Sequence, residues 1–436
     1  MHTTNEALVV STTVVVLVLL LSLFLVPALA QTQSTSPLTC GNLVPVAAPP
    51  PPPPPRRLHA LRLTEPGQPT VPRRARASAS ASASAAGRAH RLVASASAAA
   101  ATDTDTTSTI FVSVPAYRDS ETPHTLLSIL TRAAAPERVV VGVNEQWAPP
   151  DTPVLVAAEA LAAKLPDSAR VRRLLRSNVR MLRMPAQHAK GPVFARSLIQ
   201  ERLYRGEDFL LMVDSHMQFA PAWDTGLLAE YAATPTKPSV LTCYSHAYSR
   251  SDRDGADFSA TPNRLQFGQW EEGSDMPMWG SIPQTYLDAA VDPPQPSIAW
   301  AAGFSFAPRE AATKVPFHHG DMYPHLFFGE EVGMAARFFT HGVDLYTPRH
   351  SFALTTYERG YRPLYWDETP NSDEYERLSQ TRIRALLGMR ASPDTSGLKG
   401  RYALGTARSL AAYFVYSGIN MHSLEVSDAA LIGITA

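Results

Sequence analysis

A chain of 436 residues, 45% of them apolar, has enough material for one large domain or two ordinary ones. Its 39 Lys and Arg match its 39 Asp and Glu, which excludes nucleic-acid binding through an overall basic field and equally excludes an acid-rich disordered polymer. Two cysteines, Cys40 and Cys243, exclude a disulfide framework; Cys243 lies in the apolar stretch SVLTCYSHAY and reads as a buried thiol, while Cys40 reads either as an idle thiol or as a bridge between two chains.

The chain opens on the uncharged run ALVVSTTVVVLVLLLSLFLVPALA, residues 7–30. A helix of about 20 apolar residues crosses a bilayer, so the run is long enough for a retained signal anchor. Its end, VPALA, also offers the small residues Ala28 and Ala30 that a signal peptidase accepts, although MHTTNE ahead of it carries no basic residue. Residues 1–30 therefore read as a signal anchor or signal peptide, with the anchor preferred, and either sends the remainder into the secretory lumen. Residues 31–105 read as a stem: the prolines from Pro49 to Pro55, the alternation ASASASASAA and the tract VASASAAAATDTDTTS have no core to bury. Such composition is extended or flexible. Its arginines, facing Glu65 alone up to residue 101, read as a solvated basic tail. An ordered domain is expected over 106–436.

TIFVSVPAYRD is rich in β-formers, and TPHTLLSILTRAAA has helical spacing. ERVVVGVNEQW, VRMLRMP and DFLLMVD read as the next three strands, with GPVFARSLIQERLYRG a helix between the last two that closes at Gly206. DTGLLAEYAATP and SVLTCYSHAY add a helix and a strand, and FGQWEEGSDMPMWGSIP reads as a loop. SIAWAAGFSFAPREAATKVPF, the helix GEEVGMAARFFTHG, the strand VDLYTP and the aromatic, basic RHSFALTTYERGYRPLYW complete the order, with no internal repeat. This alternation implies an α/β fold, a largely parallel sheet with helices on both faces. Ligands of such sheets bind beyond the carboxyl ends of the strands. The polar clusters there are Tyr117, Arg118 and Asp119; Asn144, Glu145 and Gln146; Asp214, Ser215 and His216; and Arg349 and His350.

Within LLMVDSHMQF, alternation along an extended strand projects Asp214 and His216 to one side and turns Ser215 away. A carboxylate plus an imidazole suits a divalent cation such as manganese, with positions open for phosphate oxygens. Such an ion would neutralise charge on a departing diphosphate. The competing reading, an Asp capping the next turn and a His packed at a strand end, stands beside it.

The stretches IFVSVPAYRD, KGPVFARSLIQERLYRGEDFLLMVDSHMQFAPAWD, AAGFSFAPRE, VPFHHGDMYPHLFFGEEVGMAARFFTHGVDLYTP and YERGYRPLYW, in this order over about residues 108–370, resemble the glycosyltransferase (GlcNAc) family. Its members are polypeptide α-N-acetylglucosaminyltransferases that modify hydroxyproline or threonine. The resemblance implies a GT-A type fold, a Rossmann-like nucleotide-sugar-binding sheet, with a UDP-GlcNAc donor, a divalent metal and retention of anomeric configuration. The arrangement is also similar to mucin-type polypeptide N-acetylgalactosaminyltransferases, which share an Asp-Ser-His and a later Gly-Glu helix start. On that analogy Asp214 and His216 bind the metal, with His350 as third ligand and Ser215 counted among the donor-binding residues. Arg118 and Asp119 close the first strand, where such folds hold uracil and ribose; Gly191 would let backbone approach the base, and Arg196 would reach a phosphate or the base edge. Glu330 and Glu331 open a helix, where carboxylates suit the dipole in any case. Adjacent helical residues diverge by about 100°, so one of them, Glu330 by the analogy, is expected to face the sugar or acceptor. Gly303 would lie against the sugar, but Ala302 stands where a second glycine is expected, and its methyl bears on donor choice.

The expected activity is metal-dependent transfer of GlcNAc from UDP-GlcNAc to a threonine or hydroxyproline of a polypeptide, in a type II protein of the Golgi or another secretory membrane. No nucleic-acid partner is expected. The alternatives are a non-catalytic nucleotide-sugar or glycan-binding member of the fold, and a metal-dependent hydrolase drawing on His318 and His319, although HHG reads as a mobile loop.

Overall fold

The computed structural model describes residues 107–284, 293–370, 372–389 and 400–435. The expected anchor (1–30) and stem (31–105) lie outside the described residues. Among those described, no helix is long and apolar enough to cross a membrane.

Four parallel strands lead the sheet, β1 (Ile110–Tyr117), β2 (Val139–Trp147), β3 (Val179–Pro185) and β4 (Phe209–Val213), in the spatial order β3-β2-β1-β4. Ile110 of the central β1 aligns with Val139 on one side and Phe209 on the other. Alternation divides each inner strand between two cores. Phe111, Leu210 and Met212 enter one, and Ile110, Val112, Val114, Leu211 and Val213 enter the other. Strands covered on both faces show unbroken apolar runs, which is why IFVSV and FLLMV are legible as strands. The helices α1 (Thr122–Arg132), α2 (Val154–Ala162) and α3 (Ser168–Asn178) cover one face with Leu126, Ala158 and Leu174. Helix α4 (Gly191–Arg202) covers the other with Val193 and Ile199, ending short of the expected Gly206. Gly142 of β2 makes room on that second face: a Cβ there would stand 2.2 Å from Cζ of Phe111.

Past β4 the sheet becomes mixed. β10 (Phe304–Pro308) runs antiparallel to β4 and to β6 (Ser239–Thr242), β11 (Asp344–Thr347) runs parallel to β6, and the short β9 (Gln295–Pro296) lies at the edge. The α/β sheet expected of a GT-A fold is thus the one observed, with the 3-2-1-4 order of a Rossmann-like half. A small ladder joins β5 (Met217–Phe219) to β12 (Ala353–Thr355). The stretch read as a loop is instead a hairpin, β7 (Asn263–Trp270) and β8 (Pro277–Pro283). Its apolar alternation is broken by Gly268 and by the turn around Gly273, so no period-2 run reaches the eye. Helices α5 (Trp223–Ala232), α6 (Arg309–Lys314), α7 (Glu330–Thr340), α8 (Tyr365–Glu368) and α9 (Ser372–Leu386) follow in the second half of the chain.

Candidate active site

β4 ends at Val213 and β5 begins at Met217, so Asp214, Ser215 and His216 lie in a bend rather than in pleated strand. Ser215 does not turn away as strict alternation requires: its Oγ donates to Asp119 Oδ2 at 2.6 Å, and His216 Nδ1 meets the same oxygen at 2.8 Å. Asp214 and His216 still converge, with His216 Nε2 4.0 Å from Asp214 Oδ2. The carboxylate of Asp214 is a third exposed, whereas His216 is buried.

Asp119 is wholly buried, and protein groups occupy both of its oxygens. Oδ1 accepts from the Tyr361 hydroxyl (2.9 Å) and from the Glu121 backbone N–H (2.9 Å); Oδ2 takes Ser215 and His216, and Arg362 Nε stands 3.4 Å away. Burial opposes its charge, but His216, Arg362 and Ser215 outweigh that and hold its carboxyl well below the usual range. An ionised carboxylate only accepts, so Nδ1 of His216 donates to it and Nε2 is the ring nitrogen left for another partner. That Nε2 is buried with no hydrogen-bond partner. A free imidazole nitrogen beside a half-open carboxylate fits a divalent cation, and a carboxylate behind the imidazole is the common support for a metal-binding histidine. Asp119 therefore supports His216 and is not placed to hold uracil and ribose, as the sequence reading had it.

The remaining expected residues divide. Arg196, buried on α4, donates from Nη2 to Asp214 Oδ1 at 2.8 Å, and its Nη1 lies 3.7 Å from Glu330 Oε1. Burial would raise the Asp214 carboxyl, but Arg196, His216, Arg359 and Arg362 together bring it below its ordinary value. Gly303 touches the same carboxylate, since a Cβ on it would lie 3.2 Å from Asp214 Oδ2. Ala302 is buried; its carbonyl faces Arg196 Nη2 at 3.5 Å and its N–H donates to Glu331 Oε1 at 3.3 Å.

Glu330 and Glu331 diverge as helix geometry requires. Glu330 faces Arg196, and its buried Oε1 has no hydrogen-bond partner. Glu331 accepts from the Tyr244 hydroxyl at 2.8 Å. Burial pushes Glu330 up to about 7 and, with the neighbouring Glu330 charge, pushes Glu331 up to about 8.

Three expectations do not assemble with these. His350 sits past β11, half exposed, with Nδ1 3.2 Å from Glu230 on α5 and its ring against Phe352. The pairing with Glu230 draws it off the Asp214–His216 pair, and among the described residues no trio of His, Cys, Asp or Glu is placed to hold a metal. Gly191, at φ 86°, approaches protein backbone: a Cβ there would lie 3.0 Å from His325 Cα, so the glycine closes α4 onto that segment. His318 lies in the loop after α6, buried against the Glu330 carbonyl at 3.2 Å, and His319 faces Glu201 at 3.8 Å.

Arg118 pairs bidentately with Asp151 (2.7 and 3.1 Å) and also with Glu368. It borders an open cleft of about 570 Å³ beyond the carboxyl ends of β1, β2 and β3, lined by Tyr117, Trp147, Arg183, Gln187 and Glu368 among others.

Sequence reasoning missed the contribution of the segment after β12. Thr356 N–H donates to the His216 carbonyl at 3.1 Å, so the strand pairing delivers Tyr357, Arg359, Tyr361 and Arg362 to the site. The signal was the run of basic and aromatic residues in YERGYRP, and the Tyr361 hydroxyl in it serves Asp119.

A model of the family described as Glycosyltransferase (GlcNAc) matches residues 109–173 and 156–423. No curated protein matches the sequence. Among solved structures the chain is similar to GalNAc-T7 with UDP, GalNAc and Mn2+ (TM-score 0.46, 14% identity, 71% of this chain and 56% of that one), so it spans little more than half of that protein. It is also similar to residues 1–349 of S. aureus TarS in complex with UDP-GlcNAc (0.39, 12%, 66% and 68%). A third is the mannosyltransferase PcManGT from Pyrobaculum calidifontis in complex with GDP-Man and Mn2+ (0.36, 12%, 73% and 91%). With the family match running from the first strand through the site and most of the way to the end of the chain, this protein belongs to the glycosyltransferase (GlcNAc) family.

Proposed function

We propose that the protein transfers N-acetylglucosamine from UDP-GlcNAc to a threonine or hydroxyproline hydroxyl of a polypeptide, with retention and with a divalent metal, manganese by its ligand chemistry. The observation that carries this reading is the unpartnered Nε2 of His216 beside the half-open Asp214 carboxylate, with Arg196, Arg359 and Arg362 close enough to act on that carboxylate. Asp214 and His216 would hold the metal, leaving its other positions to phosphate oxygens and water. When bound, the ion supplies positive charge against the departing diphosphate. Arg359 and Arg362 add charged donors suited to phosphate oxygens. The cleft bordered by Arg118 and Trp147 offers an aromatic wall and polar rim for the base.

In the transfer the bond from the sugar C1 to the β-phosphate oxygen breaks and a bond from C1 to the acceptor oxygen forms on the same face. The acceptor proton leaves with the departing phosphate. Glu330, buried behind Arg196 at the opening of α7, would hold donor hydroxyls or the acceptor, and no covalent glycosyl-enzyme is required of it. The apolar run at residues 7–30 supports a type II, secretory-pathway placement, Golgi among the compartments.

The test incubates purified full-length protein with manganese and a panel of UDP-sugars, scoring UDP release with and without threonine-rich and hydroxyproline peptides. Release specific to UDP-GlcNAc, stimulated by one peptide class and abolished by chelator and by Asp214→Ala, is expected. Folded protein that binds manganese and UDP yet releases nothing with any donor would move the reading to a binding module.

A further inference from the structure

The two sides of the proposed donor site come from distant parts of the chain. The imidazole of His216 follows β4, and the guanidiniums of Arg359 and Arg362 follow β12, more than a hundred residues later. Both rest on Asp119. Through Oδ2 it takes His216 Nδ1 and Ser215 Oγ and stands 3.4 Å from Arg362 Nε; through Oδ1 it takes the Tyr361 hydroxyl. The Tyr361 ring is covered on its face by the Arg250 guanidinium, 3.7 Å from the centroid, and Arg250 is itself held to Glu121 at 3.0 Å. Glu121 returns to the same carboxylate, donating its backbone N–H to Asp119 Oδ1.

A carboxylate taken wholly out of water is costly unless its lone pairs are all used. Here they are used by groups whose orientation the donor site needs. We propose that Asp119 is a positioning residue shared by the metal side and the diphosphate side of the donor site: Oδ2 fixes the His216 tautomer that leaves Nε2 open, and Oδ1 seats the Tyr361–Arg362 segment. The proposal rests on the donor reading above, and it assigns Asp119 no contact with donor or metal. An amide at position 119 presents one acceptor and one donor, so it cannot satisfy both sides in the way the carboxylate does.

The test compares wild type, Asp119→Asn and Tyr361→Phe as full-length proteins with three readouts. The first is the His216 tautomer in metal-free protein by 15N NMR, assigned with His216→Gln. In the neutral ring the proton is expected on Nδ1 in wild type and in Tyr361→Phe, and the Nε2–H tautomer is expected to populate in Asp119→Asn. The second is manganese affinity without nucleotide by EPR, expected to weaken about 10- to 100-fold in Asp119→Asn and to stay within about twofold in Tyr361→Phe, which keeps Oδ2 occupied. The third is UDP affinity under chelator, expected to weaken about fivefold to tenfold in Tyr361→Phe. Wild-type tautomer and manganese affinity in folded Asp119→Asn overturn the proposal, as does unchanged UDP affinity in Tyr361→Phe. The latter loses a single hydroxyl and decides the Oδ1 side even where Asp119→Asn does not fold. Wild type that binds neither manganese nor UDP overturns the donor reading, and the proposal with it; competent wild type with indifferent variants overturns the proposal alone.

Discussion

His216 gives one ring nitrogen to the protein and leaves the other unpartnered, and the groups around it follow the same economy of contact. Gly303 lies close to the acid: a methyl there would press Asp214 Oδ2 at 3.2 Å. Gly303→Ala is expected to weaken manganese binding about tenfold with a change in stability under about 1 kcal/mol, since a carboxylate a third exposed has room to give; EPR titration beside thermal denaturation checks both. The two acids of α7 set a pH dependence. Glu330 at about 7 and Glu331 at about 8 hold protons more tightly in the fold than at their ordinary 4.5. Stability from these groups is whole below about pH 4.5 and is lost as pH rises through 7 and 8, whereas the depressed Asp214 loses its contribution as pH falls through the acid range. Metal-free protein is therefore expected to lose roughly 5 °C of Tm between pH 5.5 and 8.5, and Glu331→Gln to flatten the upper part of that slope. A flat wild-type profile over this range would remove the protonated-acid account. At this scale the sequence was most legible where the chemistry is local. Asp214 and His216 could be singled out by position at a strand end and Glu330 at a helix start, Arg196 and Gly303 by the resemblance alone, and the fold gathers all five. The role of Asp119 could not be read, because its partners His216 and Tyr361 lie 97 and 242 positions along the chain.

Each element contributes a fit that composition does not announce. β1 and β2 lie against α4 only because Gly142 leaves the space that the Phe111 ring fills; the added Cβ would also stand 3.1 Å from Ile199 of α4. Gly142→Ala is expected to cost about 1–3 kcal/mol by overpacking, read as a lower denaturant midpoint with an unchanged slope. An unchanged midpoint would mean that the ring has another place to go. The segment after β12 shows the opposite limit of legibility. Its strand is three residues long, too short for a period, yet its pairing with β5 carries Arg359 and Arg362 to the Asp214 carboxylate. His350 shows the same limit from the other side: a histidine one strand past the acid looks well placed in sequence, but the turn after β11 hands it to Glu230. Arg359→Ala is expected to raise the Kd for UDP about tenfold or more, the scale of one charge-assisted hydrogen bond, and to lessen the salt sensitivity of binding. Isothermal titration at two ionic strengths measures both, and unaltered affinity would place this arginine outside the diphosphate site.

For the molecule as a whole, the α/β order was legible because buried strands and amphipathic helices alternate along the chain, and the two cores grow from that alternation. The hairpin of β7 and β8 was not, since its identity lies in pairing between segments rather than within one. The balanced charge of the chain conceals a local imbalance in the candidate site. Asp214 and Glu330 flank Arg196, with Glu331 next to Glu330, and burial, with neighbouring acid charge adding to it, raises the proton affinity of Glu330 and Glu331. A divalent cation entering at Asp214 and His216 would relieve that imbalance in the folded state and find no such arrangement in the unfolded chain. Ligand that binds only the native state stabilises it by RT ln(1 + [L]/Kd), about 2.7 kcal/mol at a hundredfold excess over Kd. For a domain of this size that corresponds to a rise in Tm of roughly 5 °C. Manganese is expected to raise Tm by that order, UDP to add to the rise when manganese is present, and both shifts to vanish in Asp214→Ala. On the proposed function diphosphate would occupy positions left on the ion, so the joint shift should exceed the sum of the two separate ones. A joint shift equal to the sum would mean that manganese and UDP bind without meeting, and that Asp214 and His216 do not hold the ion against the diphosphate.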